Sequence, residues 1–279
     1  MRTRDMRQKS RSGAPPGRPA YSPPMSFDVA AEAYDRFMGR YSRLLSPQMA
    51  DLAGVAAGQR VVDVGCGPGA LTAELVARVG AGHVAAVDPS APFVDAARER
   101  NPGVDVRLAS AEELPFPDAA FDAAIAQLVV HFMADPVDGI GEMARVVRAD
   151  GVVAACVWDH AGGQGPLGLF WDAAHSMDPG VADESRLAGA REGHLKSLFE
   201  AAGLRDIEST VVDADLQLAS FDEWWEPFTG GVGPAGAYVA GLSPDRQVAL
   251  RERCRAALPS GAFTLTARAW AARGVVPRR

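Results

Sequence analysis

Residues 61–70, VVDVGCGPGA, place three glycines within five positions directly after a short apolar run. The apolar run is typical of a buried β-strand, and the next stretch, ALTAELVARV at residues 70–79, has the spacing of an amphipathic helix. Because glycine has no Cβ and permits positive φ, a ligand can approach the main chain closely at such a turn. We therefore predict a ligand-binding turn between a strand and a helix, with the acid Asp63 just before it.

The same alternation of short apolar runs and helical stretches extends along most of the chain. Strands are predicted at residues 60–64, 83–88, 104–109, 121–127, 151–158, 205–212 and 262–274, and helices at 28–57, 70–79, 91–100, 137–147, 191–204 and 244–257. Pro47 is expected to break or restart the first helix, and residues 159–190 show no strong periodicity. The alternation predicts an α/β fold, doubly wound, in which a mostly parallel sheet carries helices on both faces.

The composition indicates the cellular location of the protein and the classes of partner that it binds. The net charge is −7, so bulk charge does not favour nucleic-acid binding. Cys66, Cys156 and Cys254 are far apart and odd in number, which provides no disulfide framework and favours a reducing cytoplasm. No apolar run approaches the roughly 20 residues of a membrane-spanning helix. We expect a cytoplasmic protein without membrane or nucleic-acid partners, and the oligomeric state stays unknown.

Residues 1–25 differ from the rest of the chain. They contain six basic residues, one acid and five prolines. Such a segment buries too little apolar surface to order itself, so a disordered tail is predicted, with Met25 as a candidate start. Residues 26–279 are predicted to form a single domain.

The glycine turn by itself leaves two classes of nucleotide ligand open. GCGPGA also satisfies the dinucleotide fingerprint G-x-G-x-x-G/A, and Asp88 lies near the position of that motif's ribose-binding acid. An NAD(P)-dependent oxidoreductase is therefore an alternative.

Four ordered motifs resemble the class I S-adenosylmethionine-dependent methyltransferases, in particular the small-molecule, type 11-like members. They are VVDVGCGPG at 61–69, VDPS at 87–90, ASAEELPFPDAAFD at 109–122 and ARVVRADGVVAACVW at 144–158. The resemblance is close over residues 28–160 and holds in outline elsewhere. It implies a Rossmann-like methyltransferase fold, a seven-stranded sheet with an antiparallel last strand, and S-adenosylmethionine as cosubstrate.

The resemblance also implies the residues that hold the cosubstrate. Asp88 would bind the two ribose hydroxyls, Asp63 would orient the glycine turn, and the main-chain carbonyl near Gln127 would receive the methionine ammonium. Many relatives have Asp where this chain has Ser110, so Glu112 or a water is expected to help with the adenine. The predicted cosubstrate-binding residues are Tyr34, Arg40, Asp63, Gly65, Cys66, Gly67, Gly69, Asp88, Pro89, Ser90, Ser110, Ala111, Glu112 and Gln127. Loop capping alone for Asp63, and helix packing for Tyr34 and Arg40, are the alternatives.

Transfer from a sulfonium has an excellent leaving group, so alignment of the reactants carries much of the catalysis. His131 is the candidate catalytic base, Asp159 and His160 are the alternatives, and a purely structural His131 is also compatible with the sequence. The five histidines show no ligand spacing, so no metal is expected.

The acceptor pocket is expected to lie outside the core of the sheet, in residues 28–57, 159–190 and 213–262. Trp224, Trp225 and Phe228 favour an apolar or aromatic small-molecule acceptor, although a lid that packs on its own domain explains them as well. The sequence supports methyl transfer to an O, N or C nucleophile. A noncatalytic S-adenosylmethionine-binding protein is a further alternative.

Overall fold

The computed structural model of the protein describes residues 31–231 and 233–278. The predicted tail at residues 1–25 and the first three residues of the predicted helix 28–57 lie outside this part. Within it, seven strands form one sheet in the order β3-β2-β1-β4-β5-β7-β6. The strands are β1 Val61–Val64, β2 Val84–Asp88, β3 Asp105–Leu108, β4 Phe121–Gln127, β5 Val147–Trp158, β6 Arg205–Leu218 and β7 Phe263–Val275. Strand β7 runs antiparallel between β5 and β6, and the other strands share one direction, which confirms the predicted fold class.

Helices cover both faces of the sheet. They are α1 Ala31–Tyr34, α2 Arg40–Leu52, α3 Ala70–Val79, α4 Ala91–Arg100, α5 Pro136–Val146, α6 Gly168–Met177, α7 His194–Ala201, α8 Phe221–Trp225, α9 Gly233–Gly241 and α10 Pro244–Ala256. Successive strand residues point to opposite faces, so Val61 packs in the cluster that contains Leu45 and Leu75, and Val62 packs in the cluster that contains Ile140. Both faces of β1 are therefore buried, which explains its uninterrupted apolar run. No helix in the described ranges is long and apolar enough to cross a membrane.

The expectation that Pro47 breaks the first helix is wrong. Helix α2 continues from Arg40 to Leu52 with Pro47 inside it. An interior proline costs about 3 kcal/mol, but Leu45 and Met49 on the same helix are fully buried, and each contributes about 1.5–3 kcal/mol. The irregularity lies earlier, in a π-helical turn at Asp35–Gly39 that joins α1 to α2.

Two other segments are more regular than the sequence predicts. Helix α6 lies inside residues 159–190, where no regular element was expected. Strand β6 extends to Leu218 and pairs there with Phe263. The segment 213–262, in which part of the acceptor pocket was predicted, therefore begins as a strand. Buried Leu216 and Leu218 alternate with exposed polar neighbours, and this alternation is the signal that sequence reasoning missed.

Candidate functional site

The three glycines of the turn after β1 all have positive φ. The values are 72° at Gly65, 53° at Gly67 and 93° at Gly69. The amides of Gly65 and Cys66 both donate to the Val87 carbonyl, at 2.8 and 2.9 Å. The turn is therefore held against the end of β2, at the carboxyl edge of the parallel strands where α/β folds bind ligands.

Only one of these glycines has open space beside it. A Cβ at Gly65 would lie 2.4 Å from a methyl of Val129, and a Cβ at Gly69 would lie 2.4 Å from Nδ2 of Asn101. Packing against the protein's own side chains accounts for glycine at both positions. At Gly67 the nearest atom would be 4.0 Å away, at van der Waals distance, so packing of the protein's own side chains does not require glycine here.

Tyr34 borders the space beside Gly67. Its Cε1 is the atom 4.0 Å from the Cβ position of Gly67. The Tyr34 ring lies against Phe93 with the ring centroids 5.2 Å apart. Burial raises the pKa of Tyr34 to about 12. The structure thus places the end of α1 over the glycine turn.

Asp88 connects the end of β2 to this turn. Its Oδ2 accepts a hydrogen bond from the Gly67 amide at 2.9 Å, and its Oδ1 accepts one from the Ser90 amide at 2.8 Å. The side chain is only 6% exposed, and this desolvation raises the pKa of Asp88, while the two amides oppose the shift. Each carboxylate oxygen accepts more than one bond, so the carboxyl retains acceptor capacity for a diol.

Asp63 ties β1 to the first turn of α3. Its Oδ2 accepts a 2.6 Å hydrogen bond from the Thr72 hydroxyl, and the residue is 1% exposed. Burial raises the pKa of Asp63 to about 7. The contact orients the helix that follows the glycines. The thiol of Cys66 instead packs in the small cluster between β2 and α4, where burial raises its pKa well above the usual value.

The predicted adenine-side residues lie on the loop after β3. Ser110 is half-buried and Ala111 is buried, whereas Pro89 is exposed. The Glu112 Oε1 accepts a hydrogen bond from the Ala134 amide at 2.7 Å. Glu112 therefore braces the segment before α5, and that oxygen is already engaged.

Arg40 and Gln127 are the two remaining predicted contacts. Arg40 pairs with Glu223 at 2.5 Å, so the structure directs its guanidinium toward α8. Gln127 is 9% exposed, and its Nε2 donates to the Ser42 carbonyl at 3.0 Å. Its Oε1 is buried and has no hydrogen-bond partner among the described residues. An acceptor that is buried without a donor is costly and indicates a missing partner.

An apolar cleft with a cavity volume of about 60 Å³ lies beside the glycine turn. Residues from the ends of β4 and β5 and from all three predicted acceptor segments line it, with no Lys or Arg among them. The lining residues are Tyr34, Phe37, Met38, Leu128, His131, Phe132, Trp158, His160, Leu167, Glu184, Gly233, Pro234 and Ala235. Trp224, Trp225 and Phe228 are not among them. They are buried in α8 and the turn that follows it, where the Phe228 ring stacks on Phe170 of α6 with the ring centroids 4.7 Å apart.

Two uncharged imidazoles and one buried carboxyl form the polar part of the cleft. Burial lowers the pKa of His131 well below its usual value and that of His160 to about 4, and the rings lie 5.8 Å apart. The Nδ1 of His131 is buried and has no hydrogen-bond partner in the described structure. Glu184, which burial gives a pKa of about 7, accepts a 2.5 Å bond from the Trp171 indole.

Sequence reasoning missed Glu184 and its partner Trp171. Both lie in the segment 159–190, and no local motif marks a side chain that only the fold carries to the cleft. Within residues 31–231 and 233–278, no group of three or more His, Cys, Asp or Glu side chains is arranged to hold a metal ion.

Comparison with known proteins places this geometry in a family. A family model described as a methyltransferase domain matches residues 62–155. An uncharacterised methyltransferase of Mycobacterium bovis is 37% identical over 135 residues, which are 48% of this chain and 52% of that protein. The chain thus spans about half the length of this relative. A 2-methyl-6-phytyl-1,4-hydroquinone methyltransferase of rice is 34% identical over 53% of this chain and 40% of its own.

Solved structures share the fold at low identity. The YcgJ protein of Bacillus subtilis has a TM-score of 0.52 and 20% identity, covering 84% of this chain and 98% of that one. A structure described as a putative methyltransferase from Bacillus halodurans has a TM-score of 0.52 and 15% identity, covering 84% and 99%.

One relative carries the assignment to a family. A probable S-adenosylmethionine-dependent methyltransferase of Mycolicibacterium smegmatis is 30% identical over 186 residues, which are 63% of this chain and 70% of that protein. The family model's match at residues 62–155 includes the glycine turn, Asp63 and Asp88. The chain therefore belongs to the class I S-adenosylmethionine-dependent methyltransferases.

Proposed function

We propose that the protein transfers the methyl group of S-adenosylmethionine to an O, N or C nucleophile of a small-molecule acceptor. The observation that carries this proposal is the open main chain of Gly67, hydrogen-bonded to Asp88 at 2.9 Å. A nucleoside needs close approach to main chain and an acid for its ribose, and this pair of residues offers both.

The buried polar groups fit the cosubstrate. Asp88 retains acceptor capacity for the ribose hydroxyls, and the unpartnered Oε1 of Gln127 requires a donor. The methionine ammonium would supply one, which moves the predicted contact from the main-chain carbonyl to the side chain of Gln127. Asp63 acts indirectly, through Thr72 and α3. The roles of the other predicted residues, including Pro89, Ser110 and Ala111, remain part of this proposal.

The acceptor would occupy the apolar cleft. Its lining draws on the predicted substrate-side segments 28–57, 159–190 and 213–262, and it contains several aromatic side chains. The rice relative is named as a methyltransferase of a hydroquinone, which supports an apolar or aromatic acceptor. The three buried, free cysteines support a cytoplasmic location. We propose that residues 26–279 form one domain.

The sulfonium supplies an electrophilic methyl and leaves as a neutral thioether. The protein's part is to hold the nucleophile in line with that methyl and to keep water away. His131 faces the cleft as a neutral imidazole with an unpartnered Nδ1, so it can accept a hydrogen bond or a proton from a hydroxyl acceptor. His160 and Asp159 are adjacent alternatives.

Two measurements test the proposal. Calorimetry should show binding of S-adenosylhomocysteine and not of NADH, and preferential NADH binding would overturn the assignment in favour of an oxidoreductase. Incubation with methyl-labelled S-adenosylmethionine and a panel of small phenols, amines and carbon acids should then give a labelled product. Binding without transfer to any acceptor would instead support a noncatalytic S-adenosylmethionine-binding protein.

A further inference from the structure

Glu184 is a buried carboxyl that the proposed methyl transfer does not use. It is 5% exposed, and it lines the apolar cleft. Its Oε2 accepts a hydrogen bond from the Trp171 indole at 2.5 Å. Buried carboxyls are normally paired with a cation or with several donors, because burying them otherwise is costly. A neutral indole satisfies only part of this requirement, since each carboxyl oxygen can accept more than one hydrogen bond.

The other described lining residues carry no positive charge. None of them is Lys or Arg, and burial keeps the pKa values of His131 and His160 low, so both rings are neutral at pH 7. An acceptor with a carboxylate or phosphate in this cleft would place its charge beside the buried Glu184, with no cationic side chain among the described lining residues to pair with it. Anionic acceptors are therefore disfavoured.

Permanently cationic acceptors are disfavoured as well. A pKa of about 7 leaves much of Glu184 ionised near neutral pH, so an ammonium would gain one partner, but it would have to bury its own charge to reach that partner. The proposed cosubstrate already brings a sulfonium cation next to the cleft, and like charges repel strongly where water is excluded.

We propose that Glu184 anchors the methyl acceptor by accepting a hydrogen bond from its hydroxyl group, so that the cleft selects flat, uncharged, hydroxyl-bearing molecules. This inference rests on the proposed function. Tyr34, Phe37, Phe132 and Trp158 supply aromatic surface for a planar body. Trp171 holds the carboxyl in place and leaves it acceptor capacity for the incoming hydroxyl.

Four ligands with one flat body test the selection: 2-naphthol, 2-methoxynaphthalene, 2-naphthoate and 2-naphthylmethylammonium. Their binding to the full chain is measured by calorimetry at pH 7.5, with the cosubstrate site saturated by sinefungin, which carries an ammonium where S-adenosylmethionine carries its sulfonium. We expect 2-naphthol to bind about 10-fold more tightly than its methyl ether, as one hydrogen bond to a carboxyl predicts. The naphthoate and the ammonium compound should bind more weakly than 2-naphthol.

Variants locate the effect at Glu184. Glu184→Met removes the acceptor at similar volume and should abolish the preference for 2-naphthol over its ether. Glu184→Gln, which retains a carbonyl acceptor, should keep part of it. Trp171→Phe removes the indole hydrogen bond that positions the carboxyl and should weaken the preference without abolishing it. The exposed Glu192→Met is the matched control and should keep the preference fully.

The outcomes separate this inference from the proposed function. Failure to bind S-adenosylhomocysteine would defeat the proposed function. Normal binding of S-adenosylhomocysteine with equal affinity for 2-naphthol and its ether would defeat only the anchoring by Glu184. Tightest binding of the naphthoate or the ammonium compound would overturn the assigned acceptor class. The order of the four affinities is measured on the unaltered chain, so this test holds even when a variant does not fold.

Discussion

The amide nitrogen of Gly67 donates a 2.9 Å hydrogen bond to Oδ2 of Asp88, which joins the turn after β1 to the end of β2. The same carboxyl receives the Ser90 amide on its other oxygen. The acid that the resemblance assigns to the ribose is therefore also the group that shapes the main chain on which the nucleoside would lie. A change at Asp88 should act on both.

Asp88→Ala should weaken binding of S-adenosylhomocysteine by about 10- to 100-fold or more, because hydrogen bonds to a charged group contribute roughly 1.5–3 kcal/mol each. Calorimetry measures the change. Asp95→Ala, at an exposed position of α4, is the control and should bind normally. If Asp88→Ala retains its affinity for S-adenosylhomocysteine, the ribose does not bind to this carboxyl.

Gly67→Ala should lose affinity for S-adenosylhomocysteine, since the added methyl occupies the space beside the open main chain. The residue also has a φ of 53°, which strains any non-glycine residue. Gly54→Ala is the matched control, because Gly54 has a φ of 67° and nothing within 4 Å of its Cβ position. We expect both variants to lose similar thermal stability, with only Gly67→Ala losing affinity. Equal affinity in the two would place the ligand elsewhere.

His131→Ala should spare cosubstrate affinity and lower the rate of methyl transfer by about 100-fold or more, as general-base groups contribute on this scale. The measurements are calorimetry with S-adenosylhomocysteine and single-turnover transfer from labelled S-adenosylmethionine to a hydroxyl acceptor. The exposed His83→Ala should match the unaltered chain in both. Loss of affinity in His131→Ala with an unchanged rate would contradict the division of roles between His131 and Asp88.

Asp63→Asn should make the protein more stable at pH 8 and flatten its stability profile. Burial raises the pKa of Asp63 to about 7, so the folded state holds a proton that the unfolded chain releases near pH 4. This stabilisation is complete below the unfolded pKa and is lost as the pH rises through about 7. The loss amounts to up to about 4 kcal/mol.

Urea unfolding of Asp63→Asn between pH 5 and pH 8 measures this change. The exposed Asp95→Asn should reproduce the slope of the unaltered chain. A slope that Asp63→Asn leaves unchanged would show that Asp63 is ionised in the folded protein at neutral pH.

Local sequence patterns were sufficient for the sheet. The strands from β1 to β5 lie within a few residues of their predicted positions, because fully buried parallel strands produce short apolar runs and the connecting helices have their own period. The pattern was less informative where tertiary packing opposes local propensity. Pro47 remains helical because Leu45 and Met49 are buried. The prediction ended β6 at residue 212, although its alternation of buried and exposed residues continues to Leu218.

The sequence by itself determined the α/β architecture, the glycine turn after β1 and the acid at the end of β2, since each depends on residues that are neighbours along the chain. Only the tertiary structure decided which of those glycines leaves space for a ligand, and which side chains form the cleft. Glu184 bonds to Trp171 and lines the same cleft as His131 because α6 and the loop after it fold back over the ends of β4 and β5. Contacts between segments so far apart depend on packing, and no local pattern records them.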